Sequence, residues 1–280
     1  MKLWELVGIL TLILSLNSAI AHDSPARLDP ESTAQLIVPA LSSGSPAAGR
    51  KVRVTPPEYV GTEVFHTMYL PPDWRKDGPQ LPIIFEYTGN FFPASGSTGE
   101  PEDGALGYCL SGGKYIWVSL PYISEDGQDN AVTWWGDVAA TVAYAKRNVP
   151  LILNEFNARQ DAVFLCGLSR GAIAVKYLGL HDDEIADLWS AFVSHDHFDG
   201  VRAWGRTSWG TPLNRYRERA AARLRRVNGR PYLVSQNGTG YGTKPFVATV
   251  LADTANFRFS EINAGKIFGD FPNAHVKAAH

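Results

Sequence analysis

The sequence predicts an α/β architecture, a mostly parallel sheet with helices on both faces. Three observations lead there. From Lys51 onward, short apolar runs alternate with stretches of helical periodicity, the pattern of repeated strand–helix units. The central run Ala162-Val163-Phe164-Leu165-Cys166 is apolar at every position, as strands buried on both faces are. That run passes without a break into Gly167-Leu168-Ser169-Arg170-Gly171 and the small-residue start of a helix.

The elements follow in order. Strands are predicted over residues 60–70, 81–88, 115–120, 162–166, 188–194, 232–235 and 257–262, and helices over 132–146, 170–180, 213–227 and 244–252. The helix at 213–227 carries Leu213, Tyr216, Ala220, Leu224 and Val227 at spacings of three or four, with arginines on its outer face. Thr211 is its expected cap, Pro212 suits its first turn, and Gly229 lies just past its end. No internal repeat is present.

Ahead of this domain, residues 1–21 combine Lys2, an apolar stretch from Leu6 to Leu16, and Ala19-Ile20-Ala21. Basic start, apolar middle and small-x-small exit make a secretory signal peptide, cut before His22. A spanning helix needs about 20 apolar residues, and Asn17 and Ser18 end the run too soon. A secreted or periplasmic protein without stable membrane insertion is the expectation. Residues 22–49, rich in Ser, Pro and Ala, read as a leader tethering a domain over 50–280. The net charge of −2 provides no field for nucleic acid. Two cysteines, Cys109 and Cys166, are too few for a disulfide framework; export permits a bond between them, and the apolar setting of Cys166 favours a buried thiol.

Gly-x-Ser-x-Gly places a serine on a turn so sharp that its neighbours must be small, which Gly167 and Gly171 satisfy. The hydroxyl of Ser169 is lifted above the sheet as a nucleophile, and the Arg170 amide points at a developing oxyanion. With the strand before it and the helix after it, this segment resembles the α/β-hydrolases, and the likeness runs through nearly the whole mature chain. The resemblance implies an oxyanion loop after the third strand, here Glu86-Tyr87-Thr88-Gly89-Asn90-Phe91-Phe92. Gly89 would bring the backbone close to substrate, and Asn90 would supply the second oxyanion amide.

The resemblance also orders the remaining partners as serine, acid, histidine. Of His181, His195, His197, His275 and His280, the one in the loop after the last predicted strand is His275, which becomes the expected base. The usual acid position follows residues 232–235, but the sequence there is Gln236-Asn237-Gly238-Thr239-Gly240-Tyr241-Gly242, without a carboxylate. One strand earlier stands His195-Asp196-His197-Phe198-Asp199. Asp196 is the first choice for the acid, ahead of Asp199 and of Asn237 as a neutral orienter; Asp270 is a further carboxylate close to His275.

Gly-Leu-Ser-Arg-Gly also resembles the glucuronoyl esterases, which cleave esters of glucuronic acid. There an arginine after the serine helps stabilise the oxyanion, and the acid follows the earlier strand. A lysine of their motif is missing here, and Arg170 has the alternative of a structural salt bridge. Phe91, Phe92, Tyr122, Trp134, Trp135, Trp204, Trp209 and Tyr241 lie in loops above the sheet, with Gly89, Phe91 and Trp204 the chosen substrate contacts. His195-x-His197 has metal-ligand spacing but no third ligand, so neither metal nor cofactor is expected. The sum is an exported serine hydrolase acting on carboxylic esters, carbohydrate-linked or small. A peptidase or amidase on the same machinery, and a binding protein that has lost catalysis, are the alternatives.

Overall fold

The computed structural model describes residues 37–237 and 242–262. The described residues build a nine-stranded sheet in the order β1-β2-β3-β5-β4-β6-β7-β8-β9. The strands are β1 (Leu41–Ser42), β2 (Lys51–Val54), β3 (His66–Tyr69), β4 (Leu81–Tyr87), β5 (Ile116–Leu120), β6 (Ala158–Leu168), β7 (Ala191–His195), β8 (Tyr232–Asn237) and β9 (Phe257–Ile262). β3 runs antiparallel to both its neighbours, and every pair from β5 through β4 and β6 to β9 is parallel. The order turns back between β4 and β6. Such reversals open a crevice at the carboxyl ends of the strands.

Among the described residues, six α-helices accompany the sheet: α1 (Leu106–Ser111), α2 (Val138–Glu155), α3 (Arg170–Tyr177), α4 (Asp183–Ala186), α5 (Leu213–Arg225) and α6 (Thr243–Val250). Alternation along β4 and β6 sends their side chains to two faces. Ile83, Phe85, Val163 and Leu165 join the large core with α2, α3, α5 and α6. Ile84 and Cys166 meet Leu106 of α1 on the other face. Between them on that face, the buried Glu86 carboxylate accepts the amides of Ala105, Leu106 and Gly107 and the Trp117 indole N–H. Burial pushes its carboxyl up, and these four donors pull against that shift.

Several elements depart from the sequence reading. The helix predicted at 132–146 starts six residues later, because Trp134 and Gly136 both take left-handed conformations. Asp137 then caps α2 through the Ala140 amide. At α5 the cap position falls on Pro212, without a side-chain cap, while the Thr211 hydroxyl donates to the Trp204 carbonyl. β1, β2, α1 and α4 went unpredicted. Residues 37–49 do not act as a plain tether: β1 pairs in parallel with β2, and the Gly49 amide donates to the Leu70 carbonyl. The described domain therefore starts ahead of residue 50. Cys109 and Cys166 are both thiols, the second fully buried. Burial pushes Cys109 up to about 11. Among the described residues, no helix is long and apolar enough to cross a membrane.

Candidate active site

Ser169 stands between β6 and α3 with φ 57° and ψ −117°. A side chain rarely occupies that region, and the strain persists only where the surroundings over-determine it. They do so here. A Cβ on Gly167 would lie 2.2 Å from the Gly171 carbonyl oxygen, and one on Gly171 would lie 1.8 Å from that of Tyr87. Both glycines are sterically required. The Ser169 amide donates to the His195 carbonyl at 3.1 Å, which ties the turn to the end of β7. The Arg170 amide opens α3, among the helix-start donors that lack an intrahelical acceptor.

The loop after β4 lies beside this turn. A Cβ on Gly89 would stand 3.7 Å from Ser169 Cβ, an ordinary contact, so the chain itself does not demand glycine there. What a methyl would occupy is space next to Ser169. The Asn90 side chain accepts the Trp134 amide at 2.8 Å, and its carbonyl accepts the Ser97 hydroxyl at 2.8 Å. Gly89, Asn90, Phe91, Phe92, Leu168 and Ser169 line one cleft of about 780 Å³, which Val38, Pro39 and Leu41 also wall. Phe91 and Phe92 remain about half exposed at its edge.

The Arg170 side chain goes elsewhere. It is fully buried, and its guanidinium donates to the carbonyls of Gly99 and Trp134 at 2.9 Å, Ala131 at 3.1 Å and Thr88 at 3.5 Å. It also lies 3.8 Å from the centre of the Tyr122 ring. Burial brings it down to about 10, which leaves it charged at neutral pH. No carboxylate pairs with it among the described residues, and it does not line the cleft. Neither a side-chain oxyanion contact nor a salt bridge fits this geometry. Arg170 instead ties α3 to the loops at 88–99 and 131–134.

Asp196 follows β7 immediately, in a left-handed conformation with φ 78°, its amide on the Ser235 carbonyl at 2.8 Å. β7 pairs with β6 through Leu168 and His195, which sets Asp196 and Ser169 at adjacent carboxyl ends. Asn237 Nδ2 donates to Asp196 Oδ1 at 3.4 Å, and Gln236 Nε2 to the Asp196 carbonyl at 3.3 Å. Asn237, where a carboxylate is lacking, thus supplies one donor to the carboxylate on the neighbouring strand, while Gln236 donates to its backbone carbonyl. Asp199 is spent: fully buried, it takes Arg223 Nε at 2.9 Å and Nη2 at 3.0 Å. Burial pushes its carboxyl up, but Arg223 and Lys176 outweigh that and hold it below the usual range. His275, Asp270 and Tyr241 lie outside the described residues.

Trp204 does not line the cleft. It packs against His197, Trp134 and Trp209, with ring centres 5.1, 5.2 and 6.3 Å away. His197 and Arg202, which the sequence reading does not place at the site, line the cleft. His197 Nδ1 donates to the Asp196 carbonyl at 3.0 Å, and Nε2 accepts from Arg202 at 3.3 Å. Only its alternation with Asp196 marked it in the sequence. No group of three or more metal-ligating side chains assembles among the described residues.

No protein-family model matches the sequence, nor does any curated protein. Solved structures do. The AtxE2 isopeptidase, with Astexin3-dC4 bound, superposes with a TM-score of 0.50 at 18% identity, over 82% of this chain and 38% of its own. The fold is that of the α/β-hydrolases. A feruloyl esterase module from Clostridium thermocellum, complexed with sinapinate, aligns at 11% identity and TM-score 0.49, over 78% of this chain and 82% of that one. A thermostable esterase aligns at 13% identity and TM-score 0.49, over 82% of this chain and 59% of its own. At these identities the likeness concerns the fold alone. Ser169 occupies the strained turn between β6 and α3, and Asp196 follows the end of the neighbouring strand β7.

Proposed function

We propose that this protein is an exported serine hydrolase that cleaves carboxylic esters through an acyl-enzyme on Ser169. The observation that carries the reading is the strained Ser169 turn facing a cleft of about 780 Å³, beside the Gly89–Asn90 loop. In this reading His275 takes the Ser169 proton and returns it to the leaving alcohol, and Asp196 orients His275 and stabilises its cationic form. The amides of Asn90 and Arg170 receive the charge that develops on the carbonyl oxygen. Water then attacks the acyl-enzyme with the same groups in reversed roles. An alcohol leaves more readily than an amine, so the serine–histidine pair alone suits esters. No cofactor is needed. The segment 1–21 directs export to a secreted or periplasmic location, and sequencing the exported protein should find His22 first.

Hydrolysis of p-nitrophenyl esters, with labelling by a fluorophosphonate, tests the nucleophile. Ser169→Ala should lose about 10⁵ to 10⁶ in turnover and all labelling, with an unchanged circular dichroism spectrum. Retention of a tenth of the turnover would overturn the assignment. One observation favours a second reading: the solved structure with TM-score 0.50 is an isopeptidase. Peptide anilides cleaved faster than the esters would make this chain an amidase on the same serine.

A further inference from the structure

Four charged side chains line the cleft with Ser169, and three of them are engaged with neighbouring groups of the chain. Buried Lys51 donates to the carbonyls of Glu102 at 2.8 Å and Gly104 at 3.3 Å. Glu102 pairs with Arg53. Asp103 accepts the amides of Thr98 and Gly99 at 2.7 Å and the hydroxyls of Ser97 and Thr98 at 2.9 Å.

Arg202 is different. It is exposed, and among the described residues it forms no ion pair. Its guanidinium lies 4.0 Å from the centre of the Trp204 ring, and Nη2 donates to His197 Nε2 at 3.3 Å. His197 is itself oriented, since Nδ1 donates to the Asp196 carbonyl and leaves a lone pair on Nε2 for Arg202. Trp204 is in turn braced by Trp134 and Trp209. The result is a planar cation fixed by one ring face and one hydrogen bond, with the rest of its donor fork uncommitted among the described residues. A fork of parallel N–H groups matches a carboxylate in two-point geometry. Val38, Pro39, Leu41, Phe91 and Phe92 supply apolar surface in the same cleft.

We propose that Arg202 is a specificity-determining residue that selects esters carrying a carboxylate on the acyl or the alcohol portion. The inference rests on the serine esterase reading above. Binding of the anion acts mainly through KM, because Arg202 meets a group remote from the reacting carbonyl.

The test uses the purified protein and two substrate pairs, with spontaneous hydrolysis subtracted. The acyl arm compares the p-nitrophenyl monoester of adipate with p-nitrophenyl hexanoate. The alcohol arm compares 4-acetoxybenzoate with 4-acetoxybenzamide. In one arm the wild type should favour the anion in kcat/KM by about ten-fold, mostly in KM, and the advantage should shrink as salt rises. The anion-to-neutral ratio should fall to about one in Arg202→Gln and be partly kept in Arg202→Lys. An equal ratio in wild type in both arms, or a ratio that survives Arg202→Gln, would overturn the inference while leaving Ser169-dependent hydrolysis of the neutral esters intact. Absence of any Ser169-dependent hydrolysis would instead overturn the esterase reading, and this inference with it.

Discussion

Two buried arginines solve the same problem in different ways. Arg170 sits in a cage of carbonyl oxygens from Thr88, Gly99, Ala131 and Trp134, with the Tyr122 ring against it. Arg223 on α5 forks onto one carboxylate, Asp199. The cage leaves the charge in place and draws together segments far apart in sequence, including the loop that carries Gly89 and Asn90. The fork cancels the charge and pins α5 to the turn after β7. The first arrangement sets the shape of the site. The second holds the fold around it.

The two aspartates of the turn after β7 give the sharpest way to break that division. Asp196→Asn should cost ~10⁴ in turnover, as removal of the orienting charge does in a serine protease, with little change in unfolding free energy. Asp199→Asn should instead leave the buried Arg223 without a charged partner and cost about 3–5 kcal/mol of stability. Turnover per folded molecule and urea unfolding on both variants separate the two roles. An Asp199→Asn enzyme that stays stable but loses ~10⁴ in turnover would reverse the assignment.

Smaller effects are expected at the arginines themselves. Arg170→Lys keeps a charge but lacks the planar fork, so it cannot reach four carbonyls at once. A shift of the Gly89–Asn90 loop by about 1 Å would lower kcat about 10²-fold. Arg223→Lys should lower the melting temperature and leave kcat of the folded fraction within a few-fold. If both substitutions change stability alone, the cage around Arg170 has no bearing on the site.

Much of this was readable from residues. The strand–turn–helix around Ser169 was legible because steric demand restricts Gly167 and Gly171 to glycine, and β9 because its alternating, turn-bounded run is local. Asp196 was legible as the carboxylate at a strand end. The Arg170 side chain misled because a cation beside an expected nucleophile suggests an anion ligand, and sequence does not show carbonyls contributed by residues 88, 99, 131 and 134. The place of Arg202 and His197 in the cleft was hidden for a related reason. Their place in the cleft depends on Trp204, Trp134 and Trp209 packing as one group, a contact among residues distant in sequence. Helix α2 was misplaced because left-handed Trp134 breaks it where tryptophan gives no breaking signal.

Lys176 supplies the smallest test and the last contrast between the two regions. It lies fully buried on α3, its ammonium 3.4 Å from the centre of the Phe198 ring and donating to the Asp199 carbonyl at 2.9 Å. Burial drives its pKa down, Asp199 raises it, Arg223 lowers it again, and the balance stands at about 7. A lysine in the unfolded chain titrates near 10.4. Below about pH 7 both states hold the proton, so this group adds no slope. Between about 7 and 10.4 the unfolded chain keeps a proton that the folded one has shed, and stability therefore rises with pH in that window. The neutral amine still donates to the Asp199 carbonyl, so the structure need not change. Urea unfolding from pH 7 to 9 should show a rise of about 1 kcal/mol per pH unit from this group. Lys176→Met removes the titrating group and should flatten that arm. A rise of the same steepness in Lys176→Met would mean that another group causes it, and that the cation beside the Arg223–Asp199 fork is not held at the edge of deprotonation.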